Sequence, residues 1–70
     1  MSTALREARE EGLEQGLERG RKEGQLVGQI HSYQRLLQRT LTPTEQLLAL
    51  PLEELERSAQ QLEAELARGQ

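Results

Sequence analysis

The sequence predicts an all-α protein, and two periodicities carry that expectation. A small residue recurs at every fourth position from Ala4 to Ser32, through Ala8, Gly12, Gly16, Gly20, Gly24 and Gly28. Apolar residues then step by threes and fours, first as Leu26, Ile30, Tyr33 and Leu37, later as Leu52, Leu55, Ala59, Leu62 and Leu66. Both spacings place side chains on one side of a helix, and no stretch reads as a strand. The expected architecture is a long Gly-repeat helix, a short helix, and a C-terminal helix folding back as a helical hairpin, in a chain that dimerises.

The first unit covers residues 1–40. Ser2 or Thr3 can cap the helix, with Arg6, Glu7, Ala8 and Arg9 behind them as good helix formers. Pro43 is the first proline, so the helix can run from residue 3 to about 39, a length of about 55 Å. Arg6 with Glu10 and Glu18 with Lys22 support it at i,i+4, while Glu10 with Glu14 and Glu14 with Glu18 oppose it. Each glycine costs about 1 kcal/mol relative to alanine, so the five repeat glycines at 12–28 cost about 5 kcal/mol, which some other interaction must offset. Beyond residue 26 the heptad seam begins, widened by Val27 and Leu36, with His31, Arg35 and Arg39 expected on the far side.

The second unit covers residues 41–70. Thr40-Leu41-Thr42-Pro43-Thr44-Glu45 breaks the long helix, because proline lacks an N–H and disfavours a helical residue before it. Thr42 followed by Glu45 reads as a capping box, with Pro43 at the first helical position. The short helix holds Gln46, Leu47, Leu48 and Ala49 and stops at Leu50-Pro51, where the last helix begins. Gly69 is placed to end that helix in the left-handed conformation. At about 17 residues it matches the length of residues 24–40.

A chain of 70 residues with a mainly leucine core and Tyr33 as its single aromatic buries little apolar surface, which makes self-association expected. It has no cysteine, so no disulfide can staple it. The net charge of −3 and a pI near 5.1 argue against nucleic-acid binding by bulk charge. No apolar run approaches a membrane span, and the start lacks the basic and apolar regions of a signal peptide, which points to a cytoplasmic protein. One histidine, three serines, and neither cysteine nor aspartate leave no catalytic triad and no paired-histidine metal site. No catalytic, cofactor-binding or metal-binding residue is assigned, and the glutamates read as a solvated face.

The glycines have two readings. Missing side chains let helices approach closely, as small-xxx-small pairs do; alternatively the repeat is an expansion whose glycines face water. Steps of four advance the stripe by about 40° per repeat, so two straight helices can share only two or three consecutive glycines, near a crossing of about −50°. The candidate partner interface is therefore Gly12, Gly16, Gly20, Gly24 and Gly28 together with the seam residues Leu26, Ile30, Tyr33, Leu37, Leu55, Leu62 and Leu66.

The run from Glu11 to Gly24, passing into Leu26-Val27-Gly28-Gln29-Ile30 and ending in Leu52-Glu53-Glu54-Leu55-Glu56, resembles the C-terminal region of the bacterial recombination-promoting nuclease (Rpn) family, also described as putative transposases. The resemblance spans essentially the whole chain. It implies a dimerising tail without the N-terminal nuclease domain, translated from an internal start that Met1 suits. It further implies an antitoxin-like product that binds and blocks the cognate full-length nuclease, in phage defence. Ala8 through Gly28 to Ser32 is also similar to the Ala-xxx-Gly repeats of flagellar-type regulators of secretion ATPases. A third reading presents His31, Arg35 and Arg39 to nucleic-acid phosphates.

Overall fold

The computed structural model describes residues 3–69; the expected cap at Ser2 lies outside them. Three helices follow in order: α1 over Thr3–Leu36, α2 over Thr44–Leu48 and α3 over Leu52–Gly69. The described residues contain no strand. The molecule measures 59 × 21 × 14 Å, its long dimension set by α1.

α1 ends three residues earlier than the periodicity suggests, and its terminus explains why. Gln38 adopts φ 59, the left-handed conformation. Its N–H donates to the Arg35 carbonyl at 3.0 Å, and the Arg39 N–H donates to the Gln34 carbonyl at 2.8 Å. This is a Schellman closure built on a residue other than glycine, and it turns the chain sharply back along α1. Gly69, by contrast, is the last residue of α3 and has no positive φ.

The capping box expected at Thr42 does not form. Pro43 occupies the N-cap position of α2 without any side-chain cap, its carbonyl accepting from Gln46 at 3.0 Å and Leu47 at 3.2 Å. The Thr42 hydroxyl is engaged elsewhere, by Gln34 of α1. Pro51 behaves as the sequence suggests, its carbonyl accepting from Glu54 and Leu55 at the first turn of α3.

The core is small and lies at one end. Val27, Ile30, Leu47, Leu55, Ala59 and Leu62 are buried together, with Leu26, Tyr33, Leu37 and Leu50 packed around them. Ile30 and Leu55 are the large side chains most completely removed from water. All three helices contribute, so α2 and α3 hold the C-terminal half of α1.

The expected hairpin is replaced by a double reversal. Residues 39–50 travel back along α1, and Pro51, Leu52 and Glu53 reach a groove shared with Glu18, Arg19 and Lys22. From there α3 rises again, and Glu65 near its end meets Arg39 just beyond the end of α1, at 2.7 Å. α3 therefore runs in the same direction as α1, not opposite to it. Two stops in close succession, at Gln38 and at Leu50-Pro51, give the chain room to turn twice.

Candidate functional site

The residues expected to meet a partner divide into two sets. Ile30, Leu55 and Leu62 are buried in the intrachain core; Leu26, Tyr33, Leu37 and Leu66 are half-buried, the first three packed against it. Ile30, Leu55 and Leu62 are thus covered from within the chain, while Leu26, Tyr33, Leu37 and Leu66 keep part of their surface open. A three-and-four pattern marks a face that needs cover without saying which helix supplies it. Val27, expected beside the seam, is in its centre, while Leu36, expected to widen it, is 63% exposed.

The second set is open. Gly12, Gly16, Gly20, Gly24 and Gly28 are exposed, and a Cβ added at any of them would meet nothing within 4 Å. Within the chain they make no close helix contact. Every described residue from Thr3 to Lys22 is exposed. Leu5, Leu13 and Leu17 are 72%, 64% and 69% exposed, so this half of α1 carries apolar side chains that nothing in the chain covers.

His31, expected on the far side of the helix, and Gln34 both hold the returning chain. His31 Nε2 donates to the Thr42 carbonyl at 2.8 Å, which fixes the proton on that nitrogen because a carbonyl only accepts. Gln34 Nε2 donates to the Thr42 hydroxyl at 2.9 Å, and its Oε1 accepts from the Thr42 N–H at 3.0 Å. One buried amide thus satisfies both a backbone donor and a side-chain oxygen of the same residue. No sequence signal announced this clamp; nothing in the spacing of α1 sets Gln34 apart from Gln15, Gln25 and Gln29.

Gln34→Ala leaves the Thr42 N–H and hydroxyl without partners in a half-buried position. The expected loss is about 2 kcal/mol. Urea denaturation followed by circular dichroism measures it, and Gln34→Glu, which keeps the acceptor and loses the donor, should fall between the two.

The remaining polar contacts are few. Among the described residues the ion pairs are Arg19 with Glu23 at 3.1 Å, along α1, and Arg39 with Glu65. The Arg39–Glu65 approach is an ion pair without hydrogen-bond alignment on the buried Glu65 oxygen. The pairs expected between Arg6 and Glu10 and between Glu18 and Lys22 do not close to ion-pair distance. His31 and Arg39 are thus committed inside the chain, which leaves only Arg35 of the three residues considered for phosphate contact.

No family model, no curated protein and no solved structure matches the chain. Among the described residues no group of three or more histidine, cysteine, aspartate or glutamate side chains could hold a metal ion. No described helix is long and apolar enough to cross a membrane. The feature that stands out is the bare half of α1, charged, studded with leucines and pitted by glycines.

Proposed function

We propose that the chain is a non-catalytic interaction module whose working surface is the uncovered half of α1. It acts as an antitoxin-like inhibitor: it dimerises, and it pairs in the same way with the matching helix of a cognate full-length Rpn nuclease, in the cytoplasm and in phage defence. The observation that carries the reading is the exposure of Leu5, Leu13 and Leu17 along a helix whose glycines are all open. A half-helix with three costly glycines, Gly12, Gly16 and Gly20, and no cover is marginal in water, and a second helix laid on it supplies the missing packing.

The mechanism is competition for an interface: a mixed dimer removes the nuclease from its own dimer. Each four-residue unit shifts the leucine and charge register by about 6 Å, so repeat number sets which nuclease tail fits. Co-expression with the nuclease from the same locus is the test. Growth should be restored by the unmodified chain and not by Leu13→Glu/Leu17→Glu, which keeps the buried core intact. Failure of the unmodified chain to restore growth overturns the inhibitor reading, and equal rescue of nucleases with different repeat counts overturns the register idea.

A further inference from the structure

The bare half of α1 carries its charges in an order that selects its partner and its direction. With about 100° per residue, Leu13 and Leu17 form one row along the helix. Glu10, Glu14 and Arg21 lie on one flank, within about 60° of Leu17, and Gly16 and Gly20 lie within about 60° of Leu13 on the other. All of these residues are exposed, and Glu10, Glu14 and Arg21 take part in neither ion pair found among the described residues.

We infer that two copies of this chain pair antiparallel through this face, with the two-fold axis beside Leu17. That axis brings residue 13 of one copy level with residue 21 of the other. Leu13 then lies over the open surface at Gly20 of the second copy, where a missing Cβ leaves room for it. On the charged flank, Arg21 of each copy falls between Glu10 and Glu14 of the other. A two-fold axis perpendicular to the helices sets like flanks against each other, so acid meets base at both ends of the contact.

A parallel pair loses both matches. Its axis runs along the helices and turns the charged flank of one copy towards the glycine flank of the other, while Leu13 comes level with Leu13 and not with the space at Gly20. The distribution of mass in the molecule agrees with the antiparallel choice. The core lies on the C-terminal half of α1, and Pro51, Leu52 and Glu53 reach no further towards its N-terminus than the groove lined by Gln15, Glu18, Arg19 and Lys22, so antiparallel pairing about Leu17 places the two packed cores apart. The drift of the glycine row confines close contact to a few turns, and a crossing near −50° fits that span.

This inference rests on the bare half of α1 being the interface and not on nuclease inhibition. Charge reversal tests it in the full chain by sedimentation equilibrium. Glu10→Lys/Glu14→Lys sets three like charges together, as does Arg21→Glu, so each variant alone should self-associate about tenfold more weakly or worse. Mixed one to one, the two variants restore opposite charges at both ends and should recover the unmodified dimer mass. A dimer unchanged in either single variant, or a mixture that stays dissociated, overturns the pairing.

Because the chain has no cysteine, disulfide trapping gives a second readout. Leu13→Cys mixed with Gly20→Cys should give the mixed disulfide in excess over either homodisulfide; a dominant Leu13→Cys homodisulfide would show a parallel pair. A charge-swapped dimer that forms as expected yet fails to suppress the nuclease overturns only the inhibitor reading.

Discussion

Replacing Gly12, Gly16, Gly20, Gly24 and Gly28 together by alanine is expected to strengthen α1 by about 5 kcal/mol of helix propensity and, at the same time, to weaken self-association. The first effect follows because none of these glycines has a positive φ and a Cβ at each meets open space, so alanine removes backbone freedom from the unfolded chain without a clash. The gain divides by position. Gly24 and Gly28 lie in the packed half, where alanine should raise the global unfolding free energy. Gly12, Gly16 and Gly20 lie in the bare half, where it should slow local fraying by about fivefold per site. Thermal melts followed at 222 nm report the former, and amide hydrogen exchange the latter. The second effect comes from Gly20, whose new methyl would occupy the space taken by Leu13 of the other copy. A variant more helical and more tightly dimeric than the unmodified chain would mean that the glycines are only a cost.

Leu55→Ala should be the most damaging single core change, at about 3 kcal/mol. Leu55 is 0% exposed and joins α3 to both other helices through the shared core. A domain below about 70–80 residues seldom has more than 3–5 kcal/mol in total, so this loss should abolish the cooperative transition in a urea titration. α3 and α2 then release α1. Leu13→Ala provides the contrast: at 64% exposure it should change the unfolding free energy of the monomer by less than about 0.5 kcal/mol while loosening the dimer. Similar losses for the two variants would contradict the division between core and interface drawn above.

The helices themselves were legible. Residue spacing marked α1 and α3, and Thr40–Pro43 and Leu50-Pro51 marked the two breaks, because proline chemistry acts within one or two residues of itself. Ile30, Leu55, Ala59 and Leu62 were recognisable from their period as seam residues in need of cover, but not as the core of a single chain. Less legible was which residue would sit at the centre of a stripe. Leu26 and Val27 differ by one turn step of about 100°, and the return of residues 39–50 along α1 drew Val27 and Gln34 inwards and left Leu36 exposed. The Thr42 capping signal failed for a related reason. Its hydroxyl could serve the α2 backbone or the Gln34 amide eight residues earlier, and the reversal at Gln38 brought the amide within reach.

The candidate interface shows the same boundary. The glycine repeat, the exposed leucines and the order of acidic and basic residues are properties of the chain read in line, and the sequence alone determined that α1 would be long, costly and in need of cover. Tertiary structure decided which part receives that cover from within. The direction of α3 decided it, and direction is invisible to periodicity, since a stripe of side chains at three and four residue steps looks the same to a helix arriving from either end. Only contacts between distant residues carry that information: Arg39 with Glu65, Thr42 with Gln34, and Pro51 beside Lys22. They close the C-terminal half of α1 and leave the N-terminal half, with Leu13, Leu17 and Gly20, open to another chain.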